Sequence, residues 1–294
     1  MNSLKLKCYS ISKCGARHFD NKKPKQDYSG HFSTKEYSII AVSDGHGGDR
    51  YFRSDIGSKI AVEAALKCIK KCLSEVDEEN RQVFVNSLLI KNTSENSKTA
   101  LISRLIESIV SYWNNEVSSL LKKNPFAETE LLSLDEDVRI KMMDKNSDYR
   151  FKAYGATLIA AVVGAGFWFA FQIGDGTFVI KNNGEYSQPI ELDERCVGQY
   201  TTSICDASAV KLFHYTWGYE TPDAIFIATD GLDESFASLN GLYKFYDNVI
   251  KNSLENWEEN AIELQEYLPE LSRKGSRDDI SLAWIISYPN NTAL

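Results

Sequence analysis

Four aspartates in this sequence stand where an apolar, strand-like segment begins or ends. They are Asp44 in "IIAVSDGHGG" (39–48), Asp175 in "FAFQIGDGTF" (169–178), Asp230 in "IFIATDGLDE" (225–234) and Asp278 in "GSRDDISLAW" (275–284). A carboxylate that faces a core costs several kcal/mol unless it is paired or bound to a cation. Only one basic residue, Arg277, is adjacent to any of the four. The pattern therefore predicts a divalent cation with oxygen ligands, either Mg²⁺ or Mn²⁺.

A single Asp-Gly pair at a strand end is more simply explained as turn chemistry. Recurrence of the acid in four segments, with His46 two residues after Asp44, favours a metal site over that explanation. Gly45 adds to the site because a residue without a Cβ lets its backbone carbonyl approach an ion. An EF-hand is excluded, since the loop after Asp44 lacks acids at alternating positions and a Glu at the twelfth.

Along the chain, the predicted strands occur in groups and the predicted helices in groups, and the two do not strictly alternate. Apolar residues at helical spacing predict helices after Phe52, across 101–121 and within 233–271. Asn183-Gly184 marks a hairpin in an antiparallel meander over 158–190. Grouped strands and helices indicate an α+β fold with antiparallel sheets.

Composition narrows the function classes. The chain has 294 residues and a net charge of −8, which argues against nucleic acid as a partner. No segment reads as a membrane span or a secretory leader, so we expect a cytoplasmic protein. Cys68 and Cys72 are spaced to pack as small apolar residues on a helix face, and a metal site there is the less favoured alternative.

The sequence resembles the type 2C (PPM) metal-dependent serine/threonine protein phosphatases. The matching segments, in family order, are "KQDYSG" (25–30), "AVSDGHGG" (41–48), "YGATLIAAVV" (154–163), "QIGDGTFVI" (172–180), "IATDGLDESF" (227–236) and "GSRDDISLAW" (275–284). The entry segment "HFDNKKPKQD" (18–27) is similar to the bacterial-type branch of the family.

This resemblance implies a four-layer αββα sandwich, in which two antiparallel β-sheets are flanked by helices and two ions lie in a cleft at one end. We expect residues 1–294 to form one phosphatase domain, with a polar and helical surface excursion at about 74–150.

The resemblance also assigns the metal ligands. Asp44 would bridge both ions, Asp230 and Asp278 would complete the first site, and the Gly45 carbonyl would bind the second. Gln26 stands where the family often has Glu, which leaves Asp27 to act alone or through water. Asp175 resembles the family's ligand for a third, weaker ion, and its partner, normally an Asp, is Glu234 here, with Asp233 beside it. Asp279 replaces the usual Asn and is not counted as a ligand.

For the catalytic groups, the resemblance makes His46 the general acid beside Asp44, as a near-neutral pKa would allow. The alternative for His46 is a loop histidine that orients Asp44. Arg17 and His18 are the candidates for binding phosphate. Spacing does not separate them from their rivals Lys22, Lys23 and Lys25, nor from solvated loop cations.

The predicted activity is hydrolysis of phosphoserine and phosphothreonine by attack of a water that bridges two metal ions. The expected partner is a phosphorylated protein, and the enzyme would be a monomer that opposes a serine/threonine kinase. Two alternatives stay open. One is an inactive or weakly active phosphoprotein-binding module of the same fold, and the other is a hydrolase of small phosphate esters.

Overall fold

The computed structural model describes residues 5–75, 83–89, 94–196 and 200–288. Its strands form two five-stranded sheets, and every paired neighbour is antiparallel. The first sheet has the order β1 (Lys5–Lys13), β10 (Ile280–Tyr288), β9 (Ala224–Ala228), β6 (Thr177–Asn182), β7 (Glu185–Ser187). The second has the order β2 (Tyr28–Ser33), β3 (Tyr37–Ser43), β4 (Leu158–Gly164), β5 (Phe167–Ile173), β8 (His214–Gly218).

Long helices cover the outer face of each sheet. The second sheet carries α2 (Ser54–Ser74) with α4 (Glu95–Lys123) packed on it, and the first carries α9 (Leu239–Glu255) and α10 (Trp257–Lys274). The shorter helices are α1 (Ala16–Asp20), α3 (Val83–Leu89), α5 (Glu128–Leu131), α6 (Glu136–Met143), α7 (Ala209–Leu212) and α8 (Asp230–Asp233). The predicted four-layer αββα sandwich is confirmed.

Alternation along the strands separates three apolar layers. On β3, Ile39 and Ala41 face the helices, whereas Ile40 and Val42 face the other sheet. The same alternation holds along β4, β9 and β10. Because side chains of a strand point to opposite faces in turn, a central strand buried on both faces has a continuous apolar sequence. That explains the apolar runs that precede Asp44, Asp175 and Asp230 and follow Asp278.

The predicted meander over 158–190 is divided between the two sheets. β4 and β5 form a hairpin in the second sheet, and β6 and β7 form one in the first, around Asn183 and Gly184 with φ of 50° and 82°. The chain crosses between sheets at 174–176. A single antiparallel sheet over this stretch is therefore wrong, and Asp175 lies at the crossing.

The predicted surface excursion at 74–150 is only partly peripheral. Ser94 caps α4 by accepting a hydrogen bond from the Ser97 N–H, and α4 buries an apolar side that includes Ile102, Ile109 and Trp113. The segment from α5 to α6 is polar and largely exposed. Parts of the predicted excursion, at 76–82 and 90–93, and the chain ends of the predicted domain lie outside the described residues.

The structure also bears on the two cysteines of α2 and on whether a helix could span a membrane. Cys68 and Cys72 on α2 are partly buried and pack against the apolar cluster between the helices and the second sheet, as their spacing predicts. Within the described ranges, no helix is both long and apolar enough to cross a bilayer.

Candidate metal centre

Antiparallel pairing brings the acids to one end of both sheets. Register pairs Tyr28 with Ser43, Leu158 with Ile173 and Ala228 with Leu282. The starts of β2, β4 and β10 therefore lie beside the ends of β3, β5 and β9. Each predicted carboxylate follows or precedes one of these strand ends, so acids from distant parts of the sequence share one edge.

The closest set consists of Asp44, Asp175 and Asp230. Each offers a carboxylate oxygen, and these oxygens lie within 4.8 Å of one another. Asp44 comes from the second sheet, Asp230 from the first, and Asp175 from the crossing between them. Three carboxylates at this separation suit a hard divalent ion.

Burial and mutual repulsion disfavour the ionised forms of these acids. Burial, together with the neighbouring Asp44 and Asp175, raises the pKa of Asp230 to about 9. The pKa of Asp44 is well above its usual range because the group is buried and lies beside Asp27. Burial raises the pKa of Asp27 to about 7, although hydrogen bonds to Asp44 and from the Thr229 hydroxyl (2.7 Å) lower it. A bound cation would offset this repulsion, so the donor set fits Mg²⁺ or Mn²⁺.

Backbone pairing holds the loop that follows Asp44. The Asp44 N–H donates to the Thr157 hydroxyl (3.0 Å), and the Thr157 N–H donates to the Asp44 carbonyl (2.8 Å). His46 N–H donates in turn to the Gly155 carbonyl, which leaves the Gly45 carbonyl out of this bridge. A Cβ on Gly45 would lie 2.7 Å from the Ser54 carbonyl oxygen and 2.8 Å from that of Gln26. Glycine is thus required here by close packing.

His46 is enclosed by aromatic and glycine neighbours. Its ring meets Tyr51 edge to face at 5.0 Å, and a Cβ on Gly155 would lie 2.9 Å from its Cδ2. The buried Nε2 has no hydrogen-bond partner among the described residues. Burial lowers the pKa of His46 to about 4, although Asp175 and Asp206 raise it. The near-neutral pKa expected from the sequence is not found, and the imidazole is neutral at pH 7.

The two predicted phosphate-binding residues occupy different environments. Arg17 is half exposed and forms an ion pair with Asp278 at the edge of the site. His18 is buried, and its Nδ1 lies 2.9 Å from Oδ1 of Asp279. This position gives His18 a contact with the interior rather than with the cleft, so Arg17 is the better placed of the two for an anion.

Asp279 holds the entry segment in place. Its carboxylate accepts hydrogen bonds from the backbone N–H groups of Gly15 (2.7 Å) and Gln26 (2.6 Å). Although burial raises the pKa of Asp279, the contacts with His18 and these N–H groups bring it below its usual value. Asp279 is therefore a buried anchor, and it positions Gln26 through the backbone N–H of that residue.

The predicted third-ion pair is uneven. Asp175 is in the carboxylate triad and accepts a hydrogen bond from Thr201, whereas Glu234 is exposed at the end of α8. Beside it, Oδ1 of Asp233 is buried without a hydrogen-bond partner in the described chain, and burial raises the pKa of Asp233 to about 7.

Sequence reasoning missed the hydroxyls that support the carboxylates. Thr157 and Thr229 each lie inside a segment quoted for the resemblance, Thr157 two residues after Gly155 and Thr229 directly before Asp230, so their position in the motif could have identified them. Thr201 follows a segment with no recognisable pattern, and nothing in the sequence indicates that it reaches Asp175.

Several solved structures share this architecture, and serine/threonine phosphatases are among them. Stp1 from Staphylococcus aureus, a serine/threonine phosphatase, is 13% identical with a TM-score of 0.57, over 97% of this chain and 96% of Stp1. The catalytic domain of the serine/threonine phosphatase PstP, solved with two manganese ions, is 13% identical with a TM-score of 0.53, over 97% and 100%. PppA, described as a key regulatory component of T6SS in Pseudomonas aeruginosa, is 12% identical with a TM-score of 0.53, over 96% and 98%. At such identities these likenesses establish the fold.

Family membership comes from the sequence itself. The search of curated proteins finds no significant match. A family model described as protein phosphatase 2C matches residues 14–271, which include every predicted metal ligand but Asp278. The resemblance read from the motifs is thereby confirmed, as is the expectation of a serine/threonine phosphatase domain. The chain belongs to the protein phosphatase 2C family.

Proposed function

We propose that this chain hydrolyses phosphoserine and phosphothreonine in proteins and requires Mg²⁺ or Mn²⁺. The observation that supports the proposal most is the convergence of Asp44, Asp175 and Asp230, whose carboxylate oxygens lie within 4.8 Å of one another. The family model supports the reaction class. An intact carboxylate set also favours an enzyme over a binding module that has lost turnover.

The ions would be held as follows. Asp44 contributes to two sites, Asp230 and Asp278 to the first, and the Gly45 carbonyl with Asp27 to the second. Asp175 and Glu234 would hold a weaker third ion. Bound ions would activate the attacking water and neutralise charge on the phosphoryl oxygens.

The remaining roles fall to side chains at the edge of the site. Arg17, half exposed beside Asp278, would bind the phosphate oxygens through its guanidinium group. His46 would protonate the departing serine or threonine oxygen from its imidazolium form, which Asp175 and Asp206 favour and burial disfavours. Tyr51 and Gly155 fix the position of its ring.

The substrate class sets the biological partners. We infer a phosphorylated protein as substrate, a serine/threonine kinase as the opposing enzyme, and a cytoplasmic monomer as the working form.

The test is metal-dependent turnover. With Mn²⁺ we expect hydrolysis of p-nitrophenyl phosphate and of a phosphothreonine peptide, and loss of both with EDTA or Asp230→Asn. A folded wild-type protein with no metal-stimulated turnover on either substrate would overturn the proposal and favour the binding module. Turnover of p-nitrophenyl phosphate alone would favour a small-ester hydrolase.

A further inference from the structure

A second cleft lies in the segment between α4 and β4. It has a volume of about 470 Å³ and lies between the end of α4 and the chain at 145–151. Leu121, Pro125 and Phe151 supply an apolar lining. The polar residues of the lining are Ser118, Lys122, Lys145, Asn146, Ser147, Asp148 and Arg150.

The cleft is net positive in a chain whose net charge is −8. Lys122, Lys145 and Arg150 face one carboxylate, that of Asp148. In the described part of the chain, none of these three cations forms an ion pair. Lys122 lies in the last turn of α4, where a cation also interacts favourably with the helix dipole. Lys145 lies in no helix and has no such role.

Two contacts hold the Arg150 side chain and leave its terminal N–H groups able to bind an anion. Its Nε donates to the Met142 carbonyl at 3.2 Å, and its guanidinium carbon lies 5.1 Å from the centre of the Phe126 ring. These contacts fix the side chain, so an anion would meet a cation that is already ordered.

One rigid turn joins this cleft to the metal centre. Asp148 and Phe151 of the lining belong to a 3₁₀ turn, Asp148–Tyr154, and the next residue, Gly155, contacts His46. At a rise of about 2 Å per residue, the turn spans about 12 Å. An extended peptide covers that distance in about four residues, at roughly 3.3 Å each.

Arg53 fastens the cleft wall to this turn. Its guanidinium donates to the Pro125 carbonyl (3.1 Å), the Tyr154 hydroxyl (2.7 Å) and both carboxylate oxygens of Glu130 (2.7 Å each). Its backbone N–H donates to the Ala153 carbonyl (2.8 Å). The wall of the cleft and the loop beside His46 therefore share one anchor, and their separation is fixed.

We propose that this cleft binds a glutamate or aspartate side chain of the substrate, about four residues from the phosphorylated residue. The inference rests on the proposed phosphatase function and adds a substrate preference to it. Lys122, Lys145 and Arg150 would receive the carboxylate, and Leu121, Pro125 and Phe151 would pack against its methylene groups.

The experiment compares phosphothreonine peptides that carry Glu or Ala three, four or five residues before or after the phosphothreonine. For the preferred Glu position, we expect a KM about fivefold below that of the Ala peptide, since two exposed ion pairs contribute roughly 0.5 kcal/mol each. The ratio of the two KM values should approach one in Lys122→Ala/Lys145→Ala, and at high salt. The control Lys35→Ala/Lys251→Ala, which removes two exposed lysines elsewhere, should keep the wild-type ratio.

A wild-type enzyme with equal KM for all peptides would overturn the inference, as would a double variant that keeps the preference. If Mn²⁺ supports no turnover of any peptide, the proposed function fails, and fluorescence anisotropy with labelled Glu and Ala peptides then decides about the cleft separately. Tighter binding of the Glu peptide that disappears in Lys122→Ala/Lys145→Ala would support the anion site, and equal binding would refute it.

Discussion

The Thr201 hydroxyl donates a hydrogen bond of 2.7 Å to Oδ2 of Asp175, the carboxylate at the crossing between the two sheets. Its neighbour Thr202 accepts from the Gly174 N–H and donates to Asp193, both at 3.0 Å. Two consecutive threonines thus hold two consecutive residues of the crossing. Thr201 and Thr202, together with Asp193, thus support the metal centre, although none of them contributes a carboxylate to the triad.

We predict that Thr201→Val weakens metal activation and that Thr201→Ser does not. The serine hydroxyl keeps the hydrogen bond to Asp175, whereas valine has the same shape as threonine but no donor. Loss of a residue that orients a ligand reduces metal affinity by about tenfold or more. The measurement is the Mn²⁺ concentration that gives half-maximal turnover. Equal metal dependence of Thr201→Val and wild type would show that this hydrogen bond does not orient Asp175.

Removal of charge from the adjacent acids Asp278 and Asp279 should have different consequences, mainly for metal binding at Asp278 and mainly for stability at Asp279. Asp279→Asn should lower the free energy of unfolding by about 2–4 kcal/mol, because it leaves His18 and the N–H groups of Gly15 and Gln26 with a poorer partner. Asp278→Asn removes only a partly exposed pair with Arg17 and should cost less than about 1 kcal/mol, yet abolish stabilisation by Mn²⁺. Urea unfolding with and without Mn²⁺ measures both effects. If Asp278→Asn lowered the free energy of unfolding more than Asp279→Asn, then Asp279 would not be the buried anchor.

The carboxylate of Asp193 should stabilise the fold above about pH 4. Burial raises its pKa, but hydrogen bonds from Arg195 and Thr202 outweigh burial and bring the pKa below its usual value. The unfolded chain then binds a proton at a higher pH than the folded chain, so the stabilisation is lost as pH falls from about 4 toward the folded pKa.

We therefore expect Asp193→Asn to reduce the free energy of unfolding by about 1–3 kcal/mol at pH 7, and by less below pH 4. Asp247→Asn is the matched control: its ion pair with Lys181 is half exposed, so it should cost less than about 1 kcal/mol. If Asp193→Asn lowered the free energy of unfolding by the same amount from pH 7 to pH 3, the negative charge of Asp193 would not be what stabilises the fold.

His46→Ala should reduce turnover of alkyl phosphates far more than that of aryl phosphates. General-acid catalysis contributes about 10²- to 10⁴-fold where the leaving group is poor, and p-nitrophenolate leaves without a proton. The measurement is the slope of log(kcat/KM) against the leaving-group pKa. Tyr51→Phe keeps the ring contact with His46 and should keep the wild-type slope. Equal losses on both ester types would assign His46 to orienting Asp44 instead.

Strand-end aspartates were predictable because burial makes their position unusual. An apolar run that ends in Asp44 or Asp230 indicates a buried strand whose terminal carboxylate needs a cation. The motifs around these two residues also carry the family resemblance. The gathering of these acids at one end of the two sheets was expected from the family resemblance, and the observed register of the strands produces it.

What the sequence did not indicate depends on contacts across long separations. The crossing at Asp175 divides a local meander between two sheets, a choice decided by packing of the layers rather than by the hairpins themselves. The low pKa of His46 results from burial beside Tyr51 and Gly155, which spacing alone does not reveal. His18 and Arg17 are neighbours in sequence, yet one is buried against Asp279 and the other is half exposed.

The most direct test of the central claim is anomalous scattering from crystals grown with Mn²⁺. We expect two strong anomalous peaks in contact with the Asp44 carboxylate, one of them also in contact with Asp230, and loss of the latter in Asp230→Asn. The absence of any anomalous peak near Asp44 in a crystal grown with excess Mn²⁺ would contradict the account.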